Sequence, residues 1–227
     1  MRADLGFFSL ADGMGGHAAG EVASQMAVDR LMEEYLAAGS DELEAAALEE
    51  VLLAATHKAN AAIFARSERE RDKAGMGTTL TVLALAPGER EYRAVHVGDS
   101  RAYRLRDDTL VQLTTDHTWV QQQVQLGYLA PGLARSHPFS NIVTRALGIR
   151  DAVDVDVVRG EIRPGDVFLL CSDGLTGMLA DADIGELIAS SASAEECVSR
   201  LVDAANAAGG RDNITAVAIR MAAQGRS

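Results

Sequence analysis

Residues 7–21 read FFSLADGMGGHAAGE, an apolar and aromatic run that stops at Asp12-Gly13 and passes through Gly15 and Gly16 into a segment of small residues. A short apolar run closed by Asp-Gly has the pattern of a buried strand that ends in a turn. A helix is expected to follow, because Ala23, Ala27, Leu31 and Tyr35 recur in steps of four between Glu21 and about Ala38. Gly39-Ser40 ends that periodicity and offers Ser40 as the N-cap of a second helix, with Asp41 and Glu42 in its first turn. The second helix carries Leu48, Leu52, Ala55, Ala59 and Ala62 on one face and runs to about Arg71, where DKAGMG breaks it.

Beyond residue 77 the texture changes. TTLTVLAL, EYRAVHVGD, SRAYRLRD and TLVQLT are short, rich in Val, Leu, Thr and Tyr, and separated by tight turns, which predicts an antiparallel meander. A short helix around HTWVQQQVQLG leads into residues 128–141, a long surface loop with two of the four prolines. Strands are expected again at AVDVDVVRG and GDVFLLCSD, helices at DADIGELIAS and AEECVSRLVDAANAAG, and a last strand at NITAVAIRM. Helix pair, strands, helix pair, strand is an α+β order, without the regular strand-helix alternation of a parallel sheet.

The 227 residues are enough for one sizeable core, so a single domain over 1–227 is the default. Acidic residues outnumber basic ones by 33 to 21, a formal charge of −12. That balance argues against a phosphate backbone or an anionic membrane face as partner, so no nucleic acid is expected. Cys171 and Cys197 are too few for a disulfide framework, and neither belongs to a zinc spacing; a reducing, cytoplasmic setting follows. Cys171, inside VFLLCSDG, reads as a core residue. No basic stretch followed by a long apolar run opens the chain, and no apolar segment reaches the length of a membrane span.

Four strand ends carry an acid: Asp12 in SLADG, Asp99 in HVGDS, Asp173 in LCSDG and Asp212 in GGRDN. Any one of them is ordinary turn chemistry. Strands that end on the same side of a packed sheet would bring the four carboxylates together, where their repulsion needs a cation between them. Hard oxygen donors without a His or Cys spacing point to magnesium or manganese. A two-metal site of that kind activates water and clamps a phosphoryl group, which is the chemistry of phosphate-ester hydrolysis. The rival reading of the glycine cluster, a nucleotide phosphate cradle, lacks the Lys-Ser/Thr ending.

ADGMGGHAAGEVAS, GMGTTLTVLAL, VGDSRAYRL, TDHTWV, HPFSNIVTRALG, GDVFLLCSDGL and GGRDNITAVAI occur in this order from Phe7 to Ile219. The series resembles the successive motifs of bacterial metal-dependent serine/threonine protein phosphatases of type 2C (the PPM family). The resemblance implies a sandwich of two antiparallel β-sheets flanked on each side by a pair of helices. It implies Mn2+ or Mg2+ as cofactor, two ions with Asp12 bridging them and the Gly13 carbonyl on one. Asp173 and Asp212 match the other carboxylates, and Asp99 matches an acid that with Asp173 can hold a third ion. It further implies hydrolysis of phosphoserine and phosphothreonine on proteins by activated water, with no phospho-enzyme. A eukaryotic-like serine/threonine kinase is the implied counterpart, and residues 128–141 fall where members carry a flap.

The chain departs from the pattern in two places. Members open with Arg-x-x-Asn-Glu-Asp about twenty residues before the Asp-Gly motif, and the sequence begins after that point. An N-terminally truncated domain is therefore expected, lacking the Arg that grips phosphate and the Glu that orients water; the alternative function is a weak pseudophosphatase or a phosphoprotein-binding module. Loss of the Arg contact should weaken substrate binding by about 1.5 to 3 kcal/mol. Met14 stands where many eukaryotic members have His, and no general acid is assigned to His17 or His137. Arg145 in VTRALG and Arg101 beside Asp99 are the candidates for a phosphate contact, with salt bridges as their alternative role.

Overall fold

A computed structural model describes residues 1–15, 17–39, 43–86 and 90–222, without the side chain of His17. Strand β1 (Phe7–Leu10) is followed by the two-residue strand β2 (Gly13–Met14) and helix α1 (His17–Ala37). α1 begins four residues before its expected start, and Ala19, one step of four before Ala23, is buried on the same face. Its face is as expected: Ala23, Ala27, Leu31 and Tyr35 are fully buried. Helix α2 (Ala45–Arg69) has Glu44 at its N-cap position with no side-chain cap bond; Ser40, Asp41 and Glu42 lie outside the described residues. Ile63, four residues after Ala59, continues the buried face, and Ala62 is only half-buried.

The short strand β3 (Gly77–Thr78) pairs with β2. Next come β4 (Leu80–Leu85), β5 (Glu91–Val97), β6 (Arg101–Arg106) and β7 (Thr109–Gln112), then α3 (Trp119–Gln125), α4 (Pro131–Ala134), β8 (Asp156–Glu161) and β9 (Val167–Cys171). Helices α5 (Asp173–Thr176), α6 (Asp181–Ala189) and α7 (Ala194–Ala207) precede the final strand β10 (Ala216–Arg220). The antiparallel strands form two four-stranded sheets, in the orders β1-β4-β5-β8 and β10-β9-β6-β7.

The expected meander is therefore corrected. β5 and β6 are consecutive in the chain, but they belong to different sheets. The crossover runs through Gly98-Asp99-Ser100, with Gly98 at φ +112° and so close to Thr79 that a Cβ would fall 2.7 Å from it. Only glycine takes that conformation without strain.

Alternation along single strands shows which faces are covered. In β9, Val167, Leu169 and Cys171 pack with Leu175, Ile184, Ile188, Cys197 and Leu201 of the C-terminal helices, while Phe168 and Leu170 meet Phe8, Leu83 and Tyr92 of the other sheet. In β4, Leu80, Val82 and Ala84 pack under α1 and α2, and Leu83 faces inward. Three apolar clusters thus alternate with four layers: helix pair, sheet, sheet, helix pair. β4 and β9 are covered on both faces, which is why these two strands read as near-continuous apolar runs.

Residues 128–141 contain α4, with Pro131 in its first turn, where a missing N–H costs nothing. Arg135 Nη2 donates to the Gly177 carbonyl at 3.1 Å, and the Trp119 ring packs on His137 and Phe139 at 5.3 and 5.4 Å. Tyr128, Leu133 and Phe139 are exposed. No helix among the described residues is long and apolar enough to cross a membrane.

Candidate metal centre

Asp12 sits between β1 and β2 with its backbone held on both sides. Its N–H donates to Thr79 Oγ1 at 3.0 Å; its carbonyl accepts from the Thr79 N–H at 2.8 Å and the Thr78 hydroxyl at 2.9 Å. The glycine cluster has a physical reason. A Cβ on Gly13 would lie 2.1 Å from the Gly20 carbonyl oxygen, and one on Gly20 would lie 2.7 Å from the Gly13 carbonyl carbon. Only a pair without side chains lets the first turn of α1 rest against the Asp12 turn. Gly16, expected to share this turn, lies outside the described residues.

The other acids arrive on separate loops tied together by hydroxyls. Asp99 lies in the crossover, and the next residue, Ser100, shares a 2.8 Å hydrogen bond with Thr79, so Thr79 is linked to both the Asp12 and Asp99 turns. Asp173 opens α5, and the preceding Ser172 hydroxyl donates to the Asn213 carbonyl at 3.1 Å and accepts from the Thr215 N–H at 3.0 Å. Ser172 thereby joins the Asp173 and Asp212 loops. These hydroxyls were not among the expected site residues, because their role lies in contacts across the chain.

A cavity of about 620 Å3 is lined by Asp12, Gly13, Asp99, Asp173 and Asp212, all expected, and also by Glu21, Ser24, Thr79, Asn141 and Asn213. Glu21 and Ser24 share a face of α1 at i, i+3, a spacing that could have flagged them. The described lining contains five carboxylates and no Lys, Arg or His. A larger cleft of about 1050 Å3, between the start of α2 and Arg90 and Arg163, lies at the far end of β5, about 20 Å of strand away from Asp99.

The electrostatics follow from that composition. Burial pushes the Asp12 carboxyl up to about 6, reinforced by Asp173 and Asp212. Burial, then the charges of Asp173, Asp116 and Asp12, push Asp99 up to about 7. Asp173 is also raised, by burial and by Asp212, although its bond from Asp12 opposes this. Acids held in such mutual repulsion fit hard divalent cations as counter-ions. No three His, Cys, Asp or Glu among the described residues are already drawn into one tight ligand sphere. The carboxylates instead surround a shared space, as suits ions that take one or two carboxylates and fill the rest with water.

Neither arginine candidate is among the described residues lining the cavity. Arg101 makes three contacts of 2.7 to 3.1 Å to Asp116 and one of 2.8 Å to the Tyr103 hydroxyl. Arg145 donates to Asp156 at 2.6 Å. Both are paired with acids of the same chain, the half-exposed Asp156 and the more buried Asp116, so their positions do not support a phosphate contact. His137 accepts the Phe139 N–H through Nδ1 at 3.1 Å, a loop bond.

Residues 3–216 match the protein phosphatase 2C family. The chain belongs to that family. It is 39% identical over 210 residues to the serine/threonine phosphatase stp of Listeria innocua, covering 92% of this chain and 82% of that protein. It superposes on the crystal structure of the Mycobacterium tuberculosis serine/threonine phosphatase PstP/Ppp with a TM-score of 0.87 at 41% identity, over 95% of this chain and 88% of that one. A structure of the PstP catalytic domain in complex with two manganese ions matches with a TM-score of 0.82 at 41% identity, over 95% and 87% of the two chains. In this 2C-family chain, Asp12, Asp99, Asp173 and Asp212 thus share the wall of one cavity.

Proposed function

We propose that this chain is a metal-dependent phosphoprotein phosphatase acting on phosphoserine and phosphothreonine, with Mn2+ or Mg2+ held by Asp12, the Gly13 carbonyl, Asp173 and Asp212, and a third ion by Asp99 with Asp173. The observation that carries this reading is the cavity wall of five carboxylates, with no cationic side chain among its described residues. A phosphomonoester dianion would be repelled by that wall, so the site takes phosphate only when divalent charge separates the two. When bound, the two ions lower the pKa of water at the site and draw negative charge from the phosphoryl oxygens.

The chain's own part is positioning. Thr78 and Thr79 clamp the Asp12 backbone, so its carboxylate meets the cavity at a fixed angle. Ser172 keeps Asp173 and Asp212 in register with each other. The Thr79 hydroxyl is engaged by the Asp12 N–H and by Ser100, which fits a wall that binds and orients while water attacks phosphorus directly. Residues 128–141 act as a flap at the cavity mouth, where Asn141 belongs to the lining. The domain spans 1–227 as one unit. Its substrates are phosphorylated proteins in the cytoplasm, and its counterpart is a eukaryotic-like serine/threonine kinase.

The test is a phosphothreonine peptide incubated with the purified chain and Mn2+. Phosphate release that needs the metal and disappears in Asp173→Asn supports the enzyme. Peptide binding without turnover would instead establish a phosphoprotein-binding module.

A further inference from the structure

The motif TDHTWV places one buried histidine, His117, at a junction that the metal ligands do not explain. Two bonds connect it to the residue before Asp99: the His117 N–H donates to the Gly98 carbonyl at 2.7 Å, and the Gly98 N–H donates to His117 Nδ1 at 3.0 Å. An Nδ1 that accepts has no proton, so the ring proton of the neutral imidazole is on Nε2. Nε2 lies 3.1 Å from Asp156 Oδ2 on β8 and donates to it. Arg145 Nη1 is 2.9 Å from the same nitrogen and 2.6 Å from Asp156 Oδ1. Since both groups carry protons, they share the carboxylate rather than bond to each other.

The backbone on either side of His117 reaches the loop that borders the cavity. The Thr144 N–H donates to the His117 carbonyl at 2.7 Å, Thr118 bridges Val143, and the Trp119 N–H donates to the Ile142 carbonyl at 2.8 Å. Val143 and the neighbouring Asn141 line the cavity with Asp99. Three chain segments that are remote in sequence, the Asp99 crossover, the stem of the 128–141 loop and β8, therefore meet at one imidazole.

We propose that His117, through its Nε2–H tautomer, is a positioning residue of the candidate metal centre that fixes Asp99 and the stem of the neighbouring loop relative to each other. The inference rests on the reading of Asp99 as a metal ligand. Gly98 combines φ +112° with a backbone N–H bonded to the ring. Loss of that acceptor frees the one residue whose unusual conformation directs Asp99 into the cavity. Asp156 and Arg145 hold the far side of the ring, so the imidazole cannot rotate away from Gly98.

Two substitutions separate the halves of the ring. His117→Asn keeps an acceptor at the Nδ1 position and does not reach Asp156. His117→Gln carries an amide toward Asp156 and leaves the Gly98 N–H without its acceptor. In calorimetric titration of the metal-stripped chain with Mn2+, His117→Gln should weaken the Asp99-dependent binding step by about 10- to 100-fold, the usual effect of losing a bond that orients a ligand. His117→Asn, which keeps the acceptor for the Gly98 N–H, should recover most of the affinity that His117→Gln loses. Asp99→Asn, measured beside them, defines which step depends on Asp99. If Asp99→Asn removes a step that His117→Gln leaves intact, the positioning role is refuted while the metal reading stands. If Asp99→Asn removes no step, both fall. Should His117→Gln not fold, the parent protein decides: the 15N spectrum of the His117 ring must show the proton on Nε2, and the Gly98 amide must exchange slowly. An Nδ1-protonated ring or a freely exchanging amide overturns the proposal.

Discussion

Removing the Asp99 charge should stabilise the metal-free protein. Asp99 is 8% exposed as a residue, and its carboxyl is pushed up from 3.8 to about 7, first by burial and then by Asp173, Asp116 and Asp12. A group whose pKa is higher in the folded than in the unfolded chain costs nothing below about pH 4, where both states are protonated. As pH rises from there to about 7, the unfolded chain ionises first and folding stability is lost progressively. Across that pH window, at about 1.36 kcal/mol for each tenfold change in proton concentration, the full loss is about 4 kcal/mol. Asparagine has nearly the same shape and no charge, but it is a weaker acceptor for the local backbone N–H. Asp99→Asn should therefore gain about 2 to 4 kcal/mol at pH 8 with a chelator present, and nothing near pH 4. Urea denaturation followed by the fluorescence of Trp119, the only tryptophan, measures both. A variant that is less stable than the parent at pH 8, or equally displaced at both pH values, would refute the reasoning that mutual repulsion and burial dominate this pocket.

Other outcomes follow from the same contacts. Mn2+ should raise the melting temperature, with about 2.7 kcal/mol added at a free concentration 100 times the dissociation constant; Asp173→Asn should lose most of that shift in a thermal scan. Gly20→Ala should cost about 1 to 3 kcal/mol in chemical denaturation, because its Cβ would fall 2.7 Å from the Gly13 backbone; an unpacked helix position would instead gain about 1 kcal/mol. Burial, then the neighbouring His117, depress the His96 pKa from 6.5 to about 4, with Asp116 and Asp156 opposing. Its contribution to stability is complete above 6.5 and is lost as pH falls toward 4, about 3 kcal/mol in all. His96→Asn should flatten that part of the stability profile.

Much of the fold is legible because periodicity reports burial directly. The steps of four in Ala23, Ala27, Leu31 and Tyr35 mark the face that the helix buries, and the apolar run of Val167–Cys171 marks a strand covered on both sides. What periodicity does not carry is the sheet to which a strand belongs. β4, β5, β6 and β7 all read as short strands parted by tight turns, yet the chain changes sheets at Gly98, and nothing local to EYRAVHVGD distinguishes a hairpin from a crossover. The N-cap of α2 illustrates a smaller limit: Ser40 has the right chemistry, but α2 begins at Ala45.

The amino-acid sequence alone determined the donor chemistry: acids at strand ends, glycines where backbone meets backbone, and a strongly negative balance. These are properties of residue types and of neighbours within a turn, where short-range sterics and charge decide. Only the tertiary structure decided which of those groups share a space. Glu21 joins the carboxylates because α1 is packed against Gly13, and Arg101 and Arg145 are withdrawn because Asp116 and Asp156 lie within reach. Charge acts through distance, and distances between residues far apart in the chain are set by how its two sheets close on each other.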